Sequence, residues 1–502
     1  MKASQRVYLG FDLGASSGRA VLGTIENCRL RIEEISRFAN APCRLGDRLY
    51  WNILALWGHI ISAMRLCAKQ GYDAISGVGV DTWGVDFGLL GSDDRLLENP
   101  LCYRDAITVG IEPAIRAAID ERDLYRLTGW PVARVSTLSE LAALNRNGDC
   151  ATLQSAQTFL MMSDLFRHLL CGHKAVELTA GGSGQLIDIR RGDWCRKLLT
   201  AFRLPKKIFP NIVQPATVVG KLHTVLAAET GLNRTPVVAV AGHDTASAAA
   251  AAPLADHDCA LISCGTWSVV GAIQEEPDTS REALVAGFVN EFGLASILFV
   301  KNIAGLYLFE SLHRALNCSS RKMSYAAMVR IAMAAKPFQY YLDINSPFLF
   351  ATDDAEASIR HCLRSTGQKA TADMADILRA ILEALAWSYR ATLAQLATLT
   401  GRRLRRICLV GGGSRNRLLC QLAANATGLE VIAGPAEATV VGNLASQALA
   451  TRQLRTVAEI RQLVRDSFDL KIYRPRTTGQ WDEHFHRYQE IAEKSARQRK
   501  PH

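Results

Sequence analysis

Two aspartates stand out because their neighbours could put them to chemical use. Asp244 lies in AGHDTASA, at the end of the apolar run TPVVAV and ahead of a small-residue helix. Moving a phosphoryl group from ATP to an alcohol needs a carboxylate to accept the hydroxyl proton, with a metal and donors that neutralise the phosphate charge. A carboxylate at a strand end fits the first of these roles, and the same residue could equally be a plain helix cap. His243 could form a dyad or metal pair with it, but alternation along a strand would send adjacent side chains to opposite faces. Asp12 ends the strand in DLGASSGR, where it could hold a magnesium ion through the ion's water shell. In the turn that follows, Gly14 and Gly18 admit close backbone approach and unusual dihedrals. Ser16 and Ser17 add hydroxyls and Arg19 a fixed charge, so successive N–H groups could make an anion nest. An ordinary hairpin turn would have the same composition.

Three further motifs carry donors or flat surfaces. SCGTWS offers Gly265, Thr266 and Ser268 in a second small-residue turn. VGGGSRN places Gly411 to Gly413 where a strand gives way to a helix, and a nucleotide could lie against that backbone. The dinucleotide pattern GxGxxG fails because Asn416 stands where the last glycine is needed, and GxxxxGK[ST] does not occur. DTWGVDF supplies Trp83, either a face for a sugar ring or a core residue. Gly84 exposes backbone there, and Asp81 and Asp86 could accept from hydroxyls.

The elements that must position these residues alternate between strand and helix. Residues 6–26 and 259–273 read as hairpins of apolar strands around a small-residue turn, and residues 406–428 as a buried strand entering a helix. Such alternation is an α/β architecture. The two hairpins begin two similar halves, which predicts a duplicated fold with its boundary near residues 248–258. The expected division is 1–250, 251–455 and a basic, partly helical tail at 456–502, read as a solvated helix.

Bulk properties narrow the function classes. A chain of 502 residues exceeds one ordinary core, so two domains are expected. Its 13 cysteines are widely spaced without CxxC pairs, which predicts reduced, buried thiols rather than a disulfide framework. The formal net charge of +10 invites a nucleic-acid reading, but the cations are dispersed and no DNA- or RNA-binding motif accompanies them. Anionic nucleotide and phosphosugar ligands explain that balance equally well. No apolar run is long enough to span a membrane, and MKASQRVYLGFDLG lacks the apolar core of a secretory signal, so a cytoplasmic protein is expected.

Taken in order, DLGASSGR, DTWGVDF, AGHDTASA, SCGTWS, KNIAGL and VGGGSRN resemble the FGGY carbohydrate kinases from about residue 7 to residue 450. DTWGVDF together with AGHDTASA resembles the branch acting on L-rhamnulose. The resemblance implies two ribonuclease-H-like domains of the actin/hexokinase type, with the active site in the cleft they form. It implies transfer of the γ-phosphate of ATP, with magnesium, to O1 of the sugar. A monomer or homodimer without nucleic-acid or membrane partners is expected. By motif match, Asp244 would accept the proton. Ala15, Ser16, Ser17, Gly18 and Arg19 would contact ATP phosphates, and Thr266, Glu310 and Gly412 would also contact ATP. Gly84, His243, Asp244, Thr245 and Asn302 would contact the sugar. Three places depart from the family's habit: Ile107 where an arginine is usual, Ser163 where a proline is common, and Ala180–Gly181 where Asn-Ala is usual. They bear on which sugar is taken, leaving L-fuculose, a xylulose or a signalling furanone as alternatives. A non-catalytic sensor on the same fold is a further alternative, and Asp12 and Asp244 argue against it.

Overall fold

The strand that begins the chain shows why a sheet forms here. β1 (Arg6–Leu13) is buried along its last six residues, as a near-continuous apolar run between covered faces should be. In the computed structural model, which describes residues 6–146, 150–254, 258–318, 322–349, 354–371 and 373–497, β1 turns back into β2 (Ser17–Glu26), and β3 (Arg29–Ala39) continues the meander. On its other side β1 runs parallel to β4 (Gly77–Thr82). β5 (Thr217–Lys221) and β6 (Pro236–Ala239) complete a six-stranded sheet ordered β5-β6-β4-β1-β2-β3. A second sheet contains β7 (Cys259–Cys264), β8 (Trp267–Gln274), β9 (Val289–Gly293), β10 (Ser296–Ala304), β11 (Arg406–Val410), β12 (Glu430–Ala433) and β13 (Lys471–Tyr473). Its order is β9-β10-β8-β7-β11-β12-β13.

The two sheets repeat one plan. In each, an antiparallel hairpin (β1–β2 or β7–β8) is followed by two parallel neighbours (β4 and β6, or β11 and β12) and an antiparallel edge strand (β5 or β13). This is the duplication expected from the two hairpin motifs.

Packing divides the chain differently from the expected contiguous segments. One unit comprises residues 1–253, 273–299 and 438–468; the other comprises 254–272, 300–437 and 469–502. Residues 255–257, within the expected junction, lie outside the described residues. The helix Ala438–Ala450 belongs to the first unit because its polar side chains are tied to the sheet. Asn443 Nδ2 donates to Asp81 Oδ2 at 2.7 Å, and Gln447 Nε2 donates to the Leu9 carbonyl at 3.0 Å. The same helix crosses Asp244–Ala250 closely. A Cβ added at Gly442 would lie 1.8 Å from the carbonyl oxygen of Ser247.

The tail is not a solvated helix. Val457–Ser467 buries Ile460, Leu463 and Val464, and β13 pairs with β12. The helix Thr478–Arg497 buries Trp481, Tyr488 and Ile491, with Trp481 4.2 Å from the Trp387 ring. Its apolar positions fall on one face, which the basic composition conceals. Trp387 belongs to the 27-residue helix Met374–Thr400, which Asp373 caps by accepting from the Ala375 amide and which Gly401 ends at φ 65°.

Gly442→Ala should therefore destabilise the protein by about 1–3 kcal/mol, because the contact is with backbone and the helices must part. Thermal unfolding checks this; an unchanged midpoint would mean that the helices do not cross this closely.

Candidate functional site

The carboxylates of the first unit gather at the ends of β1 and β4. Asp12 and Asp81 are partners in the parallel register of those strands. Arg19, opposite Asp12 on β2, places Nε and Nη2 on Asp12 Oδ2 at 2.9 and 2.6 Å. Its charge is thus matched within the hairpin itself. Asp81 is sealed from solvent. Burial first, then the negative charge of Asp12, holds its carboxyl well above the usual carboxylate range, opposed by the hydrogen bond from Asn443. The expected role of Asp81 as a hydroxyl acceptor for a ligand therefore does not hold.

Ser16 and Ser17 are exposed at the turn and Ala15 is partly exposed. The Gly14 amide donates to the Ser17 carbonyl at 3.0 Å, and Asn40 Nδ2 donates to the Gly14 carbonyl at 2.9 Å. Gly18 is glycine for a reason other than the one expected. A Cβ there would meet the Phe38 ring at 2.2 Å, so packing behind the turn excludes a side chain.

His243 and Asp244 come together, contrary to the strand-alternation argument. β6 ends at Ala239, and His243 is the cap of the helix Asp244–Ala250, so strand geometry no longer applies. His243 Nε2 lies 3.4 Å from Asp244 Oδ1, and Nδ1 lies 3.4 Å from Glu291 Oε2 on β9. The Thr245 hydroxyl donates to Asp244 Oδ1 at 3.3 Å. Behind them the backbone is held: Glu177 Oε2 accepts the Gly242 amide at 2.8 Å, and Thr179 Oγ1 accepts the His243 amide at 3.2 Å. The Asp244 side chain is 36% exposed, while His243 and Glu291 are 11% and 4% exposed.

Charge and burial compete at this pair. Burial works against a proton on His243, but the close Glu291 carboxylate, with Asp244 and Glu177, pushes its pKa up to about 9. An imidazole raised from 6.5 to about 9 stabilises the fold fully below pH 6.5, and that contribution is lost as pH rises through about 9. Burial pushes the Asp244 carboxyl up, the imidazolium of His243 draws it down, and the charge of Asp12 raises it again.

Gly84 completes this corner. A Cβ there would come within 2.8 Å of Ser183 Oγ and 3.0 Å of His243 Nε2. The next residue, Val85, has φ +70°, strained for a β-branched side chain. Ser183 Oγ accepts its amide at 3.0 Å and the Thr137 hydroxyl donates to its carbonyl, which fixes the conformation. Trp83 is a core residue, not an open face. It is 6% exposed, its ring lies 4.2 Å from Trp51, and the indole N–H groups of Trp83 and Trp51 donate to Asp86 Oδ2 at 2.7 and 2.5 Å. Asp86 Oδ2 is thus occupied, and burial lifts the carboxyl to about 7 against those two hydrogen bonds. Of the departures, Ser163 stands where a Cβ on Gly242 would meet its Oγ at 2.5 Å. The Ala180 amide is held by Glu177 at 3.1 Å, and Ile107 donates its amide to Asp105.

The second unit gathers backbone rather than charge. The Gly265 amide donates to the Trp267 carbonyl at 2.8 Å, and Leu306 donates to the Gly265 carbonyl at 2.8 Å. That brings the turn after β7 to the start of the helix Tyr307–Cys318, where Thr266 Oγ1 donates to Glu310 Oε2 at 3.1 Å. Gly411, at φ +80°, is packed so that a Cβ would meet the Cys264 carbonyl at 2.9 Å, and one on Gly413 would meet Cys264 Sγ at 2.4 Å. A Cβ on Gly412 meets nothing within 4 Å. The structure thus gathers Thr266, Glu310 and the Gly411–Gly413 turn around the end of β7. Ser268 does not join them: it is buried, with Oγ 2.9 Å from the Tyr389 hydroxyl. Asn302 is exposed on β10.

The geometry can be set beside known proteins. The model of the FGGY family of carbohydrate kinases, N-terminal domain, matches residues 7–251, and that of the C-terminal domain matches residues 260–451. The chain belongs to the FGGY family of carbohydrate kinases. It is 39% identical over 476 residues to a rhamnulokinase of Bacteroides thetaiotaomicron, covering 95% of this chain and 97% of the relative. It is 35% identical over 470 residues to a rhamnulokinase of Mannheimia succiniciproducens, covering 93% and 94%. A ligand-bound xylulose kinase from Lactobacillus acidophilus has the same fold, at TM-score 0.80 and 16% identity over 98% of each chain. Plasmodium falciparum glycerol kinase with ADP also shares it, at TM-score 0.79 and 14% identity over 99% of each chain.

Among the described residues of this FGGY kinase, no helix is long and apolar enough to cross a membrane, and no disulfide joins the cysteines. Sequence reading missed Glu177, Ser183, Glu291 and Asn443. The signal for Glu291 was a lone carboxylate in the otherwise uncharged stretch FVNEFGLASILFV. That for Asn443 was an amide, with Gln447 four residues on, in an apolar helix.

Gly413→Ala should lower the melting temperature, whereas Gly412→Ala should leave the unfolding free energy within about 0.5 kcal/mol of the parent. Calorimetry of both variants checks this, and equal effects would contradict the packing of Gly413 on Cys264.

Proposed function

We propose that this carbohydrate kinase transfers the γ-phosphate of ATP to O1 of L-rhamnulose, giving L-rhamnulose 1-phosphate and ADP. The observation that carries the substrate is the likeness to rhamnulokinases along nearly the whole chain, at 39% and 35% identity. The transfer chemistry rests on Asp244, whose carboxylate opens to solvent beside a buried imidazolium. In this reading the O1 hydroxyl oxygen attacks the γ-phosphorus, its proton passes to an oxygen of Asp244, and the bond to the β-phosphate oxygen breaks as ADP leaves with the electron pair. Gly84, His243, Thr245 and Asn302 hold the sugar. Ala15 to Arg19, Thr266, Glu310 and Gly412 hold ATP, the first group through the exposed Ser16–Ser17 turn.

Magnesium fits the donor set in one way. Among the described residues no group of three His, Cys, Asp or Glu could hold a metal. Asp12 alone, its side chain 12% exposed, suits an ion that keeps its waters and takes its other ligands from phosphate oxygens. Bound there, the ion would supply charge neutralisation on the phosphates.

Asp244→Asn should leave the fold intact and lower kcat by about 10²–10⁴-fold. A coupled ADP-release assay over L-rhamnulose, L-fuculose and D- and L-xylulose measures this and the substrate together. A variant keeping more than half of the parent kcat would remove Asp244 as the base. A parent enzyme with its highest kcat/KM on another ketose would remove L-rhamnulose, and the side chains of Ile107, Ser163 and Ala180 would then be the first to revert.

Gly412→Val should weaken ATP binding while leaving sugar binding and melting temperature unchanged, since the added side chain enters open space. Calorimetric titration with ATP and with sugar separates the two. Unaltered ATP affinity would take Gly412 out of the nucleotide site.

A further inference from the structure

Glu291 has no part in the reading above, yet its position is unusual. β9 is buried along all five residues, and a carboxylate in such a strand is costly unless it is paired. Its partner is His243 Nδ1 at 3.4 Å, and the opposite nitrogen of the same ring lies 3.4 Å from Asp244 Oδ1. The ring therefore stands between two carboxylates, one enclosed and one open.

We propose that Glu291 is a positioning residue for Asp244: by anchoring Nδ1 of His243 it turns the Nε2–H edge onto the carboxylate that takes the hydroxyl proton. The proposal rests on Asp244 being the base. No proton moves through His243. The ring stays protonated, and its charge favours the ionised form of Asp244, the form that can accept a proton. Without it, burial and the charge of Asp12 would both favour the protonated, inactive carboxyl.

Every element packed around the ring bears on its charge. Asp244 faces it from its own helix and Glu291 from β9, while Glu177, at the cap of Leu178–Gly182, adds a third negative charge. Thr179 holds the His243 amide, and the backbone at Gly84 closes the Nε2 side. Burial is the one influence opposing the proton, and Glu291 is the strongest of those favouring it. β9 is also fixed independently of Glu291. The Asn290 amide donates to the Gly129 carbonyl at 2.9 Å, and Phe292 packs where a Cβ on Gly182 would meet it at 2.5 Å. Removing the charge at 291 therefore leaves the strand held by its neighbours.

The test is Glu291→Gln in the full-length enzyme, read by NMR titration of the His243 ring in the absence of ligands and by the pH dependence of kcat/KM. In the parent the His243 midpoint should lie at about 9. In Glu291→Gln it should fall by about one pH unit or more, because burial is then less opposed. The acidic limb of kcat/KM should move to higher pH, because a ring no longer held at Nδ1 turns its Nε2–H away from Asp244 even though it is still protonated there, and Glu291→Asp should recover part of both shifts. A merely structural glutamate would lower the melting temperature and move neither. In a His243→Gln background, Glu291→Gln should shift the acidic limb no further, since its effect passes through the ring. Should Glu291→Gln fail to fold, Glu291→Asp and His243→Gln still give the midpoint and the limb. An unmoved His243 midpoint, or additive shifts in the double variant, overturns the proposal. An active Asp244→Asn enzyme alongside a shifted midpoint overturns the assignment of the base instead, and leaves only the Glu291–His243 ion pair.

Discussion

The first unit is governed by the problem of holding several carboxylates close together at strand ends. Asp12, Asp81, Asp244, Glu177 and Glu291 lie near one another, and only Arg19 and His243 oppose them among the pairs described above. Coulomb repulsion at these separations is large once water is reduced. Each acid meets it differently. Asp12 takes Arg19 as a close partner. Asp81 is held toward its neutral form by burial and shares a hydrogen bond with Asn443. Glu177 spends its oxygens on the amides of Thr179, Ala180 and Gly242 and on the Thr179 hydroxyl. Glu291 and Asp244 share one imidazolium. The outcome is a graded set in which Asp244, among those assigned a partner, is the carboxylate that keeps substantial exposure.

That grading requires structure remote in sequence. Asn443 comes from a helix more than 350 residues beyond Asp81, and it reaches the sheet because Gly442 lets that helix lie against Ser247. The helix at Ser247 is the one whose first residue is Asp244. One glycine thus contributes to both ends of the cluster: it seats the donor that satisfies Asp81, and it sets how closely the helix bearing Asp244 may be approached. The interleaving of residues 438–468 with the first unit follows from the same contacts.

How much of this was legible in the sequence depended on whether the signal was local. The hairpins at residues 6–26 and 259–273 were read correctly because apolar runs around small-residue turns have few other solutions. Thr266 and Glu310, which the resemblance named separately, meet through a hydrogen bond that the sequence did not announce. The misreadings share one cause, which is that a side chain's availability depends on distant packing. Asp81, Asp86 and Ser268 are chemically suited to ligands, but Asn443, the Trp51 and Trp83 indoles and Tyr389 each engage one of their oxygens and packing encloses them. His243 and Asp244 were separated on paper by an alternation that ends with the strand at Ala239. The tail was read as solvated because charge dominates its composition, although Trp481, Tyr488 and Ile491 recur on one face. Glu291 could not be assigned a partner from sequence, since nothing local indicates that β9 lies beside His243.

One strand plan carries two different kinds of strand end here. At the last residues of β1 and β4 the first unit places Asp12 and Asp81 and, by way of Thr82 and Gly242, the His243–Asp244 turn; the Thr82 amide donates to the Gly242 carbonyl at 2.9 Å. After β7 and β11 the second unit places Gly265, Gly411, Gly412 and Gly413. The parallel strands are interchangeable in pattern, while the residues at and beyond their ends differ: charge in one case, bare backbone in the other. A charged strand end must be neutralised from all sides, so the first unit recruits residues from six separate stretches of chain. A glycine-lined end needs only steric room, so in the second unit the turn is fixed mainly by its contacts with Cys264, and Gly412 is left clear. The fold supplies the same scaffold twice and loads its strand ends differently, which is how one architecture can host unlike sites.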